Sequence, residues 1–182
     1  MLGLMAFNGP GVSGAALQML NHGLSTGALF LLVGMLYERR HTKKIAEFGG
    51  LATSMPLYTT LFFLILFSSI ALPGTNGFVG EFLILLGAFQ TIPAFAVAAT
   101  TGVILSAVYM LWMAGRVFFG PIVREENRNL PDLSLREGAT LFPILVLIFW
   151  IGLAPGFLLT KINPSVDKFL ENVRTHGKAI EH

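Results

Sequence analysis

The chain has 182 residues, of which 54% are hydrophobic and 12% charged, with a net charge of +2. Counting the 20 Gly and leaving out the three Tyr puts the apolar share at roughly 63%, against about 45–50% in soluble proteins. Between Glu47 and Arg116 the only Asp, Glu, Lys, Arg or His is Glu81, so a soluble domain is excluded and an integral membrane protein is expected.

So small a net charge gives no case for nucleic acid, and the basic residues lie between apolar blocks, where they orient helices. The absence of Cys excludes disulfides, Cys-ligated iron–sulfur clusters and zinc–thiolate sites. Residues Met1–Met5 carry no basic n-region of a signal peptide.

In chain order, the first apolar block runs from about Val12 to Tyr37 and predicts one transmembrane helix. The second, Pro56 to Phe89, is too long for one span. Its 34 residues would make a straight helix of roughly 50 Å at 1.5 Å per residue, against a hydrocarbon core of about 30 Å. At its centre lies Leu72-Pro73-Gly74-Thr75-Asn76-Gly77-Phe78, where Pro73 removes a helical hydrogen bond and Gly74 and Gly77 admit non-helical dihedrals. The spacing predicts two half-helices joined by an unwound turn; a reentrant hairpin or a simple Pro kink are the alternatives. Pro93 to Phe119 and Gly138 to Leu159 predict the third and fourth spans. Residues 161–182 form a tail in which Val166, Phe169, Leu170 and Val173 repeat at i, i+3, i+4, i+7, the pattern of a short amphipathic helix at the interface. The fold class expected is therefore all-α and integral to the membrane, with about four transmembrane helices over residues 1–160. A bundle of four leaves its polar faces largely uncovered, which points to a partner.

Loop charge predicts the orientation. Arg39, Arg40, Lys43 and Lys44 fill the first connection, and Arg116, Arg124, Arg128 and Arg136 the third, whereas Gln90-Thr91-Ile92 carries none. Basic loops favour the cytoplasmic side, so the short loop and the tail fall outside.

Glu81 is the sharpest chemical signal. An ionisable residue inside a membrane is costly and marks an ion or proton path by default. It sits four residues after Gly77, on the first turn of the second half-helix, where the peptide dipoles favour the carboxylate while burial favours the acid. The alternative is a structural carboxylate that caps the helix or pairs with a cation of another chain. His22 comes next, with Gln18 and Ser25 at i−4 and i+3 and with Asn21 and Thr26 beside it. Such a polar stripe faces protein or water rather than lipid, and histidine passes protons near neutral pH; the alternative is a histidine bonding two helices together. His41 reads as a solvated or capping residue, and His176 and His182 as inert. Gly14, Gly23, Gly27 and Gly34 are candidates for close helix packing. No phosphate-binding loop, dinucleotide fingerprint, zinc-protease motif or nucleophile elbow occurs, so no means of holding NADH, flavin, haem or a metal is visible.

Several runs resemble a known family. Gln18-Met19-Leu20-Asn21-His22-Gly23, Gly34-Met35-Leu36-Tyr37-Glu38-Arg39-Arg40-His41-Thr42, Gly49-Gly50-Leu51 and Met55-Pro56 are similar to chain M of bacterial NADH:quinone oxidoreductase, respiratory complex I. The run from Leu72 through Glu81 to Phe82 resembles the broken helix of that subunit. The resemblance spans nearly the whole chain but only the C-terminal end of the family, which is built from two inverted repeats. It implies proton translocation coupled to quinone reduction elsewhere in the complex, with NADH, FMN, iron–sulfur clusters and quinone held by partner subunits in a bacterial inner membrane. Glu81 matches the family's glutamate on the second broken helix, and His22 a histidine in the polar axis leading to it. Pro73, Gly74, Gly77, Gln18 and Ser25 support them. Met1 falls in the family's interior, so a fragment or truncated reading frame is expected. A subunit of a multisubunit cation/proton antiporter or membrane-bound hydrogenase, and a purely structural membrane scaffold, are the rival readings.

Overall fold

A computed structural model describes residues 1–180, with side chains to His176; Glu181 and His182, the last two positions of the expected tail, lie outside the described residues. Eight α-helices follow one another: α1 (Leu2–Met5), α2 (Gly9–Arg40), α3 (Leu51–Ser54), α4 (Pro56–Ser69), α5 (Asn76–Thr91), α6 (Pro93–Phe118), α7 (Leu135–Leu153) and α8 (Gly156–Ile180). No strand occurs among the described residues. Of these, α2, α6 and α7 are each long and apolar enough to cross a membrane, and α4 is a shorter apolar helix.

The axis of the bundle is α2, whose 32 residues extend about 48 Å. Asn8 caps its start, its side chain accepting from the Gly11 amide at 2.9 Å, with Pro at position 10 setting the first turn. His41 ends it in the left-handed region, φ 51°. Leu17, Asn21, Ser25, Ala28, Leu32 and Leu36 form its buried seam, spaced three or four residues apart as one helix face requires.

Along that seam lies the second apolar block, and it is broken as the sequence predicts. The Tyr58 hydroxyl of α4 donates to the Leu32 carbonyl at 2.8 Å, and farther along Ser68 meets Ser25. Helix α4 then stops. Ala71 (φ 57°) and Gly74 (φ 95°) take left-handed conformations around Pro73, and the amide and hydroxyl of Thr75 both donate to the Leu72 carbonyl. The second half, α5, starts beside Asn21 and ends where the Asn8 side chain donates to the Gly87 carbonyl at 2.8 Å. The break therefore sits level with Asn21–Ser25, near the midpoint of α2. Close approach is made by glycine: a Cβ on Gly14 would meet Leu83 and Ile84 of α5, and one on Gly80 would run into Gln18 and Asn21. Of the four glycines expected to permit packing, only Gly14 does so; Gly23, Gly27 and Gly34 face open space, because the buried seam runs through Asn21, Ser25 and Leu32 on the other side of α2.

The fourth block departs from expectation. Its helix begins at Leu135, three residues early, because Ser134 and Glu137 form a reciprocal capping box. It also ends at Leu153 rather than continuing to Leu159. Pro155 brings no amide hydrogen, and Ala154 before it is pushed out of the helical region (φ −132°, ψ 59°). Helix α8 then restarts at Gly156, so the amphipathic segment is longer than a short tail. It packs on the start of α2, where Ser13 donates to Asn163 at 2.9 Å and Val12 packs against Val166 and Leu170. Of the expected apolar stripe, Phe169 and Val173 stay exposed.

The two basic connections meet at one end. Arg124 pairs with Glu47 at 3.0 Å, Asn127 donates to the Glu47 carbonyl, and the Gly50 amide donates to Phe119. The main apolar core lies under this cap, centred on Leu32, Tyr58, Phe62, Phe118, Leu141 and Ile148. By contrast α6 fully buries only Ala96, Ala114, Val117 and Phe118; Met110 and Met113 pack partly on the core, while Phe95, Val97, Ile104, Leu105, Val108, Leu111 and Trp112 are exposed.

Candidate functional site

The break in the second span gathers the polar residues of the membrane interior. Ser25 and Ser68 hydroxyls lie 2.6 Å apart, and Ser68 donates to the Asn76 side-chain oxygen at 2.5 Å. Since the single hydroxyl proton of Ser68 is committed to Asn76, Ser25 is the donor between the two serines. Asn21 Nδ2 donates to the Asn76 carbonyl at 2.7 Å and to Gln18 Oε1 at 3.2 Å. Gln18 Nε2 in turn points at Glu81 Oε1 at 3.4 Å, a weak bond. One hydrogen-bonded chain thus runs from the buried seam of α2, across the unwound turn, to the half-buried carboxylate of α5.

This chain borders a cavity of about 220 Å³. Gln18, Asn21, His22, Ser25 and Thr26 line it from α2, Ser68 and Ser69 from α4, Gly77 and Glu81 from α5, and Ser106, Tyr109 and Met110 from α6. Asn21 Oδ1, Ser69 Oγ and the nearby Asn76 Nδ2 are buried there without a protein partner. Buried polar atoms of this kind are normally satisfied by ordered water, and each water takes about 30 Å³. The space suits a small group of waters touching both His22 and Glu81.

Glu81 lies in the second turn of α5 rather than the first, because the helix already opens at Asn76; that end of the helix carries the positive part of its dipole. Among the described residues no Lys or Arg pairs with it. His22 is brought to the same cavity but not to the buried chain: it is exposed, with Nδ1 3.2 Å from the Thr26 hydroxyl. The stripe of α2 that bonds across the break is Gln18–Asn21–Ser25 rather than Gln18–His22–Ser25. Both spacings cover about the same arc of a helix, and the close approach of Gly80 to Gln18 and Asn21 decides between them. Gly74 and Gly77 shape the turn. Gly77 backs onto the Ser68 carbonyl, and the Gly74 carbonyl lies against Gly152 of α7. Ser68 and Asn76 carried little signal on their own, although a Ser-Ser pair closing an apolar run before Pro73 marked the place. No group of three His, Asp or Glu that would suit a metal ion occurs among the described residues.

Comparison with known proteins agrees with this architecture. The family described as NADH:quinone oxidoreductase/Mrp antiporter, TM matches residues 1–108. NADH-quinone oxidoreductase subunit M of Rhodobacter capsulatus is 46% identical over 171 residues, which cover 94% of this chain and 33% of that one. NADH-ubiquinone oxidoreductase chain 4 of Arabidopsis thaliana is 39% identical over 96% of this chain and 35% of its own length. The chain thus spans about a third of the length of the curated relatives it matches. Among solved structures, respiratory complex I from Thermus thermophilus with bound NADH superposes with a TM-score of 0.87 at 32% identity, over 93% of this chain and 36% of that one. The Mrp complex from Dietzia sp. shares the fold, with a TM-score of 0.78 at 21% identity over 90% of this chain and 39% of that one. The broken helix, the polar chain that crosses it and these matches together show that the chain belongs to the NADH:quinone oxidoreductase/Mrp antiporter transmembrane family.

Proposed function

We propose that these residues form the C-terminal part of a proton-translocating membrane subunit of NADH:quinone oxidoreductase, with Glu81 as the proton carrier and His22 as the residue that exchanges protons with it. The observation that supports this reading is a carboxylate with no ion-pair partner among the described residues, facing the same cavity as a histidine in the middle of the span. In that reading NADH, FMN, iron–sulfur clusters and quinone belong to partner subunits, and the assembly lies in the bacterial inner membrane. The matches to subunit M and to NADH-ubiquinone oxidoreductase chain 4 favour it over a cation/proton antiporter.

The chemistry follows from the donor set. The amides of Gln18 and Asn21 hold the carboxylate and the unwound turn in place but do not relay protons. Transfer between His22 and Glu81 therefore runs through water in the cavity, with the Ser25 and Ser68 hydroxyls and the unpartnered Asn21 Oδ1 ordering it. A neutral Glu81 acid gives its proton to water and becomes a carboxylate, and a second proton restores it.

The test is Glu81→Gln in the full-length subunit within the assembled complex, read as proton uptake by vesicles during NADH:quinone turnover. Gln keeps the shape and much of the hydrogen bonding but exchanges no proton, so uptake falls at least tenfold while assembly persists. Glu81→Asp retains more. Native uptake by Glu81→Gln would make Glu81 structural and overturn the reading.

A further inference from the structure

Helix α7 stops at Leu153 and α8 restarts at Gly156, and the corner between them leans on α2. It encloses an apolar slot of about 140 Å³, whose walls include Leu20 and Leu24 of α2, Leu147 and Trp150 of α7, and Phe157 and Leu158 of α8. We propose that this slot holds an acyl chain of an anionic phospholipid and that Lys161 binds its phosphate. The inference is independent of the proton-carrier reading of Glu81.

The slot is preformed. Farther along α8, Ser13 donates to Asn163 and Val12 packs against Val166 and Leu170, which tie the helix to α2. Across the corner the Trp150 and Phe157 rings stack with their centroids 5.2 Å apart. Among the lining side chains the indole N–H of Trp150 is the one polar group, and an apolar cavity of about this size stays dry and takes apolar groups. Leu20, Trp150 and Phe157 are each about half exposed, so the slot opens on the surface of the molecule, where a membrane protein meets lipid.

Charge at the mouth selects the occupant. Residues 138–153 carry no charge, whereas the first half of α8 brings Lys161, Asp167 and Lys168, so the corner lies at the depth of the headgroups. Trp150 suits that level, since indole rings favour the membrane–water interface. Lys161 Nζ stands 5.3 Å from the centre of the Phe157 ring that lines the slot. Between Glu137 and Asp167 it is the sole charged side chain, and among the described residues no carboxylate pairs with it. The first turn of α8 adds the positive end of its dipole, and Pro155 before it offers no side-chain acceptor. A cation and helix amides together complement a phosphate. An apolar protein segment would fill the slot and leave Lys161 unmatched; an anionic phospholipid answers both.

The experiment places the assembled complex, with the full-length subunit, in phosphatidylcholine vesicles that hold a trace of a phospholipid bearing a photoactivatable diazirine on its acyl chain. One probe is a phosphatidylglycerol and the other a phosphatidylcholine, and adducts are mapped on peptides after illumination. The phosphatidylglycerol probe is expected to label the stretches around Leu20–Leu24 and Trp150–Phe157 at least fivefold more than the phosphatidylcholine probe. Lys161→Gln should lower its labelling to the phosphatidylcholine level. Lys161→Arg, and Lys168→Gln at an exposed cation farther along α8, should stay within twofold of the unsubstituted chain. Ala154→Trp fills the slot and removes labelling by both probes; if it does not assemble, the Lys161 variants decide. Equal labelling by the two probes, unchanged in Lys161→Gln, would mean ordinary contact with bulk lipid and overturn the site. No labelling of the unsubstituted chain would mean that another helix, of the full-length subunit or of a partner, covers the slot, and would overturn it equally.

Discussion

Arg39 grips Glu137 with two parallel hydrogen bonds, Nη1 to Oε1 at 2.7 Å and Nη2 to Oε2 at 2.8 Å. Its remaining three N–H groups donate to the carbonyls of Met35, Pro131 and Asp132, so all five donors of the guanidinium are used. The same loop sends the Asp132 carboxylate to the Leu57 and Tyr58 amides at 2.8 and 2.9 Å. It thereby caps α4, for which Met55 in the N-cap position offers no side-chain acceptor. One loop thus joins the ends of α2, α4 and α7.

From that geometry Arg39→Lys is expected to be far from conservative. Lys offers three donors on a point charge and cannot reproduce the fork. The pair is largely shielded, with side chains 11% and 18% exposed. Removing one partner outright, as in Arg39→Leu, should cost about 3 kcal/mol, at the lower end for a buried pair because of that residual exposure. Heat inactivation of the assembled complex checks it: a midpoint unchanged in both variants would show that the loop is held by other contacts.

Both basic connections lie at one end of the bundle, since Glu47 and Arg124 are 3.0 Å apart. With the positive-inside bias, Lys43→Cys and Arg128→Cys are expected to react with an impermeant thiol reagent from the cytoplasmic side and Thr91→Cys from the opposite side. The chain has no Cys of its own to obscure the result. Labelling of Lys43→Cys and Thr91→Cys from the same face would contradict the topology.

Legibility in the sequence followed the range of the interaction. Block lengths and Pro73 are local, and they revealed the spans and the break. Glu81 was conspicuous because nothing else charged lies between Glu47 and Arg116. The position of Asn21 depended on which face of α2 meets α5, and that is settled by Gly80 and Gly87 on a partner helix more than fifty residues away. Asp132 as the cap of α4 joins positions 74 residues apart and leaves no local mark. The halt at Ala154 was local and still missed, because the hydropathy of the block runs on through Pro155 to Leu159.

The contrast between Asn21 and His22 gives a further expectation. Asn21 is 1% exposed, and its amide bonds the Asn76 carbonyl at the start of α5. Asn21→Leu removes that bond and leaves the carbonyl only its intrahelical partner, at a cost of about 1 kcal/mol, and it frees Gln18 from its position against Glu81. His22→Ala removes a proton-exchanging group from an exposed position that water can bridge. Proton uptake is therefore expected to drop more in Asn21→Leu than in His22→Ala, and only Asn21→Leu should lower thermal stability. The opposite order would mean that proton exchange at His22, rather than the positioning of Gln18 and the start of α5 by Asn21, limits transfer.

Gly152 affords the most indirect test of the broken helix. It lies near the end of α7, and a Cβ built there would run into the Gly74 carbonyl and the backbone of Thr75. Backbone atoms cannot rotate away as a side-chain tip does, so Gly152→Ala must shift either α7 or the turn. On the α7 side the helix is already pinned by the Arg39–Glu137 fork and ends at Ala154–Pro155. The turn is the softer partner, since Ala71 and Gly74 hold it in left-handed conformations. Its displacement moves Asn76, and with it the start of α5 that carries Glu81. Gly152→Ala should thus lower proton uptake several-fold although it lies outside the cavity, whereas Gly156→Ala, with open space around the added Cβ, should not. Equal uptake in the two variants, both assembled, would mean that the turn takes its shape without support from α7.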